Sequence, residues 1–252
     1  MDDGTLLVSE VFSAIQGEGA MVGRRQVFLR LTGCNVRCAY CDQPEALEKR
    51  PGPCRIEQTP GQRDFLVVDS PLALQAVAGA VDRLWRALPH HSVSITGGEP
   101  LMQSARLASL LPILRAYGHR AFLETNGMLV DGLERVLPWI DHVSMDVKLE
   151  SVDGVGVDRE VHRRFLEVAR GVDAYVKIVV GPTTDEDELR DAVTMVAEVA
   201  PAATVYLQPV TPFAAITTAP TPAQVLAWQE LALRIHPDVR VVPQTHKMIG
   251  QL

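Results

Sequence analysis

Cys34, Cys38 and Cys41 stand in Thr32-Gly33-Cys34-Asn35-Val36-Arg37-Cys38-Ala39-Tyr40-Cys41, a C-x3-C-x2-C spacing directly after the strand-like run Gln26–Leu31. Three thiolates on one short loop can each hold one iron of a cubane cluster, and the fourth iron then lacks a nearby cysteine. The only other cysteine, Cys54, lies 13 residues on, in a Pro- and Gly-rich stretch, and is a candidate fourth ligand. An iron left open is a place for a small molecule to bind, by the logic that separates open catalytic zinc sites from closed structural ones. Zinc and a set of unrelated thiols are the alternatives. Zinc ordinarily takes four ligands, often in paired knuckles, and the sequence holds no second knuckle.

Other polar residues that could do chemistry gather just after apolar runs: Thr96-Gly97-Gly98-Glu99, Glu124-Thr125-Asn126, Asp146 with Lys148, and Gln208. The elements that must position them alternate. Strands are expected at Gln26–Leu31, Ser92–Thr96, Ala121–Glu124, Val143–Val147, Tyr175–Val180, Thr204–Leu207 and Val239–Val242. Helices are expected from Ser70-Pro71, from about Ser104 to Ala116, near 132–137, 158–170 and 184–199, and from Thr221-Pro222. Thr184 and Asp187 have capping-box spacing and an acidic first turn follows them, which suits the helix dipole. This alternation implies α/β architecture with a parallel sheet. With six or seven strands, a barrel and a doubly wound sheet both fit. The polar clusters favour the barrel, because in β/α barrels the chemistry sits at the C-terminal ends of the strands. The stretch Lys49 to Arg63, dense in Pro, Gly and charge, is expected to be an exposed loop, and 49–69 an insertion in an otherwise single domain spanning 1–252.

Composition narrows the class. Apolar residues make up 47% and charged residues 22%, which is ordinary for a folded chain rather than a disordered one. The net charge of −7 disfavours a nucleic-acid partner, which would need basic surface to release counterions. No apolar run reaches the roughly 18 residues needed to cross a bilayer, so no membrane partner is expected. The first ten residues carry no cationic, apolar leader, so the expected compartment is the cytoplasm, where clustered cysteines point to metal or redox chemistry rather than disulfides.

At the cysteines the chain resembles the radical S-adenosylmethionine (SAM) superfamily, whose signature places an aromatic residue before the last cysteine, as Tyr40 stands here. The resemblance implies a [4Fe-4S] cluster on Cys34, Cys38 and Cys41. It implies SAM chelating the open iron and cleaved by one electron to methionine and a 5′-deoxyadenosyl radical. The implied fold is a full or partial (β/α)6 barrel. A narrower likeness runs through Ala14-Ile15-Gln16-Gly17-Glu18-Gly19, Phe28-Leu29-Arg30-Leu31-Thr32-Gly33-Cys34, Thr96-Gly97-Gly98-Glu99-Pro100, Glu124-Thr125-Asn126-Gly127 and Pro243-Gln244-Thr245-His246-Lys247. These resemble the 7-carboxy-7-deazaguanine synthase family, which converts 6-carboxy-5,6,7,8-tetrahydropterin to 7-carboxy-7-deazaguanine with loss of ammonia, on the route to queuosine and other deazapurines.

The resemblance assigns roles by position. Arg30 would clamp the pterin carboxylate, a charge-assisted fork suited to guanidinium. Ile15, Gln16, Gly17, Thr96 and His246 would meet the pterin. Gly97, Gly98 and Glu99 would meet the methionine end of SAM, and Tyr40 and Asp42 its adenosine. Ser144, Asp146 and Lys148 also fall at SAM-contacting positions, although the family commonly reads S-P-K there. Gln43 occupies a place where a Thr or Ser hydroxyl commonly helps bind Mg²⁺. A longer amide arm would displace that ion. The family is usually dimeric and draws its electron from a flavodoxin or ferredoxin. Two rivals share the cysteines: a glycyl-radical activase acting on a protein, and a non-catalytic zinc- or cluster-binding protein.

Overall fold

The structure is a computed structural model in which residues 4–251 are described. From the N-terminus, β1 (Thr5–Leu6) and β2 (Val8–Ile15) lead into β3 (Arg25–Leu31), followed by β4 (Gly52–Glu57), β5 (Phe65–Ser70), β6 (Leu72–Ala73) and α1 (Leu74–Ala87). Strand and helix then alternate through β7 (Ser92–Gly97), α2 (Ser104–Ala116), β8 (Ala121–Thr125), α3 (Val130–Val136), β9 (His142–Val147), α4 (Glu150–Asp153) and α5 (Arg159–Ala169). β10 (Asp173–Val180), α6 (Glu186–Val199), β11 (Val205–Pro209), α7 (Pro222–Leu233), β12 (Val239–Val241) and α8 (Thr245–Met248) complete the chain.

A ten-stranded sheet runs in the order β12-β11-β10-β9-β8-β7-β3-β2-β4-β5. Every pairing from β3 to β12 is parallel. β2 lies antiparallel to β3, and β4 and β5 extend the sheet beyond β2. Among the described residues no pairing joins the two ends, so the sheet is open, as a partial barrel requires. No helix is long and apolar enough to cross a membrane among them either.

The two faces of the parallel run differ. Leu29, Ile95, Leu123, Met145, Ile178 and Leu207 belong to one continuous core with Leu84 of α1, Leu110 of α2, Phe165 of α5 and Val193 of α6. The alternate residues face the other way, and they are polar. Arg30 is in register with Thr96, Glu124 with Ser144, and Asp146 with Lys177. A central parallel strand is normally buried on both faces and apolar throughout. Here period-two alternation hands one face to helices and reserves the other for chemistry. At the far end of that polar face Phe122, Tyr175 and Tyr206 pack together with Met21 and Val242, closing it off.

Three expectations need correction. The stretch Lys49 to Arg63, expected as an exposed loop within the 49–69 insertion, instead supplies β4 and the turn of the hairpin β4–β5, in which Cys54 pairs with Val68 and Ile56 with Leu66. Asp64 closes its turn by accepting from the Gln58 and Thr59 backbone N–H groups. Pro53 is tolerated because β4 meets β2 only at Arg55 and Ile56. Second, α1 begins at Leu74, and Ser70 instead accepts from the Val8 N–H in the strand before it. Third, α6 is capped by Asp185, which accepts from Asp187 and Glu188, while the Thr184 hydroxyl accepts from Gly181. The strand β2 escaped notice because its register shifts between Val8 and Glu10, which breaks the alternation.

Candidate active site

The polar face opens into a cleft of about 210 Å³ at the C-terminal ends of the strands. Cys34, Cys38 and Cys41 line it as free, half-buried thiols. Their loop is tied down on both sides. The Gly33 and Cys34 N–H groups donate to the Ala46 and Leu47 carbonyls at 2.8 and 2.9 Å, and the Ala39 N–H to Asp153 at 2.9 Å. Gly98 lets the next turn approach: a Cβ there would sit 2.4 Å from the Gly33 carbonyl oxygen and 2.7 Å from that of Ala46. Cys54 is fully buried in the core and does not line the cleft. Burial pushes the Cys34 thiol up and the Cys38 thiol to about 11, opposed in part by the Lys148 charge. Thiols in so dry a setting ionise when iron sits beside them. Among the described residues no three His, Cys, Asp or Glu side chains converge tightly enough to hold a single metal ion, but three thiols on one loop beside the cleft are the donor set that would hold an iron–sulfur cluster with one iron accessible.

A chain of charges crosses the cleft beside them. Lys148 donates to Tyr40 Oη and to Asp146 Oδ2, both at 3.2 Å. Asp146 Oδ1 lies 3.1 Å from Lys177 Nζ, and Lys177 also pairs with Glu18 Oε2. Gln244 Nε2 donates to Glu18 Oε1 at 2.8 Å. Burial alone would raise Glu18, but the Lys177 charge and hydrogen bonds from Lys177 and Gln244 outweigh it and hold the carboxyl at about 2. Burial disfavours both lysine charges, yet neighbouring acids keep Lys148 and Lys177 well above the usual range. Glu18, Lys148 and Lys177 are therefore charged at neutral pH, while burial pushes the Tyr40 phenol up.

The remaining walls mix burial-shifted groups with ion pairs. Glu124 accepts from Gln16 Nε2 at 2.9 Å and Ser94 Oγ at 2.6 Å, and its burial raises its carboxyl. Burial lowers His246, whose ring packs so closely on Gly17 that a Cβ there would lie 2.2 Å from Nδ1. Arg30 pairs through Nε with Glu10 at 3.1 Å. Asp42 pairs with Lys247 at 2.8 Å.

Ile15, Gln16, Gly17, Arg30, Tyr40, Asp42, Gln43, Thr96, Gly97, Gly98, Asp146, Lys148 and His246 all line this one cleft with the cysteines. Glu99 and Ser144 do not. Glu99 is fully buried beneath the wall, where Oε1 accepts from the Leu101 N–H and the Thr125 hydroxyl and Oε2 from the Asn126 N–H. Burial raises it to about 7 against those bonds. Ser144 sits deeper on β9, in register with Glu124 and Tyr175. Sequence reasoning singled out neither Glu18 nor Lys177. A lysine at an inward position of Ala174-Tyr175-Val176-Lys177-Ile178-Val179-Val180 was the available signal, since buried lysines are rare without a partner.

Residues 29–196 match the radical SAM superfamily model. A 7-carboxy-7-deazaguanine synthase from Geobacter sulfurreducens is 44% identical over 247 residues, 97% of each chain. The chain belongs to the 7-carboxy-7-deazaguanine synthase family. A second synthase of that family, from Methanopyrus kandleri, is 36% identical over 97% of this chain and 93% of its own. Among solved structures, QueE from Escherichia coli superposes with a TM-score of 0.60 at 22% identity, covering 95% of this chain and 94% of that one. Streptococcus suis SuiB bound to its precursor peptide SuiA reaches 0.58 at 16% identity over 85% of this chain and 47% of that one. Both likenesses concern the fold.

Proposed function

We propose that the chain is a radical SAM carbon–nitrogen lyase converting 6-carboxy-5,6,7,8-tetrahydropterin to 7-carboxy-7-deazaguanine with release of ammonia. The observation that carries this reading is the convergence of Cys34, Cys38 and Cys41 with Gln16, Arg30, Thr96 and His246 on one cleft. When bound on the cysteines, the cluster and SAM supply a carbon radical able to take hydrogen from an unactivated C–H bond.

The chain's own residues bind and orient. Arg30 spends Nε on Glu10, which leaves its two terminal nitrogens for the pterin carboxylate. Thr96, in register beside Arg30, offers a hydroxyl to the same end of the ligand. Gln16, fixed through Nε2 by Glu124 and Gln26, presents one side of the pterin ring system with a rigid polar edge. Glu124 and His246 are titratable groups on the wall, placed to carry the proton transfer that ammonia loss from the ring requires. Tyr40, Lys148 and Asp146 would order SAM, while Glu99 acts on it through the Gly98 and Asn126 turns.

The cation site of the family is altered here. Gln43 replaces the hydroxyl, and the neighbouring Asp42 carboxylate is already held by Lys247. Gln43 offers only a longer, neutral amide oxygen, which would shift and weaken a Mg²⁺ site, and turnover with EDTA is expected within about twofold of turnover with Mg²⁺. A cytoplasmic homodimer reduced by a flavodoxin or ferredoxin completes the proposal. Ammonia release from 6-carboxytetrahydropterin under anaerobic conditions, with SAM and reductant, tests it. Release confirms the lyase, whereas SAM cleavage without ammonia would favour an activase-like substrate.

A further inference from the structure

Gln244, Glu18, Lys177, Asp146, Lys148 and Tyr40 come from separate parts of the chain, yet they form one unbroken series of hydrogen bonds and ion pairs. At one end Glu18 follows the Ile15-Gln16-Gly17 segment that faces the pterin half, and Gln244 precedes His246. At the other end Tyr40 precedes Cys41 on the loop that holds the cluster. The middle is a shared carboxylate. Asp146 gives one oxygen to Lys177 at 3.1 Å and the other to Lys148 at 3.2 Å. The side chains of Lys177 and Lys148 are only 8% and 6% exposed, so each ammonium depends on its carboxylate partners more than on water. A carboxylate held this way cannot approach one lysine without loosening from the other. Glu18 has the same form, split between Lys177 and Gln244.

We infer that this Glu18–Lys177–Asp146–Lys148 series couples the two halves of the site, so that occupancy by the carboxypterin tightens SAM and SAM tightens the pterin. The inference rests on the proposed function and concerns residues of this chain only. Lys177 is a positioning residue in it. A ligand that orders the Gln16–Glu18 segment fixes Glu18 on Lys177, which sets the Asp146 carboxylate and through it the Lys148 ammonium beside Tyr40. Coupling between two ligands is reciprocal by thermodynamic necessity and typically spans about 5- to 150-fold. The benefit is chemical: the radical source assembles fully only where its target is in place.

The test uses the reconstituted holoenzyme without reductant, so that nothing turns over. SAM affinity is measured by equilibrium dialysis with and without saturating 6-carboxypterin, and 6-carboxypterin affinity by its fluorescence with and without SAM. In the wild type each ligand is expected to tighten the other by at least about fivefold, with the two factors equal. Lys177→Met should bring that factor close to one, and Lys177→Arg should restore part of it. Asp146→Asn, nearly isosteric, should abolish coupling too and serves if Lys177→Met does not fold. Coupling that persists in a folded Lys177→Met or Asp146→Asn, or that is absent from a wild type binding both ligands, overturns the inference. A wild type that binds SAM but no 6-carboxypterin overturns the proposed function itself.

Discussion

Two side chains carry opposite halves of the chemistry, and their loss should be distinguishable. Cys38→Ala removes one of the proposed iron ligands from a loop whose other two cysteines line the same cleft. Iron per chain should fall, and SAM cleavage should vanish; retained cleavage in the variant would contradict the cluster assignment. Arg30→Ala should leave SAM cleavage intact and lower pterin turnover by about 10- to 150-fold, the value of a charged hydrogen-bonded contact at roughly 1.5–3 kcal/mol. The fold should survive, because Glu10 keeps Arg55 at 3.2 Å as a second cation. Steady-state kinetics with both products quantified separates these outcomes. The cysteines, Arg30 and the glycines of the Gly97-Gly98 turn were legible in the sequence because their spacing is local. Lys177 and Glu18 were not, because an ion pair between residues 159 positions apart leaves no local pattern. Glu99 illustrates the reverse limit: its motif is plain, but only the fold shows that it binds backbone rather than facing the cleft.

The turn after β8 is held from behind by α5. His162 is fully buried, and since a carbonyl only accepts, its Nε2 donates to the Asn126 carbonyl at 3.1 Å. Asn126 in turn donates from Nδ2 to Asn35 of the cysteine loop at 2.8 Å. Burial, helped by the Arg159 charge, lowers His162 to about 4, against 6.5 for an unhindered histidine. The unfolded chain therefore binds a proton below pH 6.5 that the folded chain refuses until about 4. Stability from this group is full above pH 6.5 and is lost as pH falls toward 4, with a slope approaching about 1.4 kcal/mol per pH unit. Denaturant unfolding across this window should show that loss, and His162→Gln, which can still donate but does not titrate, should flatten it. An unchanged slope would mean that other groups govern acid sensitivity. The helices and parallel strands were readable because apolar runs and helix starts alternate along the chain, as where Thr221-Pro222 opens α7, although the expected starts at Ser70 and Thr184 moved to Leu74 and the Asp185 cap. The β4–β5 hairpin was hidden because Pro51, Pro53, Pro60 and Gly61 give its sequence the composition of a loop, while its pairing partners lie across the turn.

The sheet as an entity divides labour between its faces, apolar against the helices and polar toward the cleft, and the sequence showed that division only through the polar clusters that follow the apolar runs. Whether the sheet closes was not legible, since closure depends on pairing between the first and last strands, which no single segment encodes. An open sheet leaves the strand ends free to bring Gln16, Arg30, Cys34, Lys148, Lys177 and His246 to one cleft from both margins. A net charge of −7 suits a small carboxylated ligand only if local cations collect it, and in the proposed function Arg30 on the cleft wall would do so. The decisive measurement is anaerobic turnover of the reconstituted chain with SAM, reductant and 6-carboxy-5,6,7,8-tetrahydropterin, followed by mass spectrometry of the products. Formation of 7-carboxy-7-deazaguanine over many turnovers per SAM is the predicted result. SAM consumed to methionine and 5′-deoxyadenosine with the pterin unchanged would contradict it.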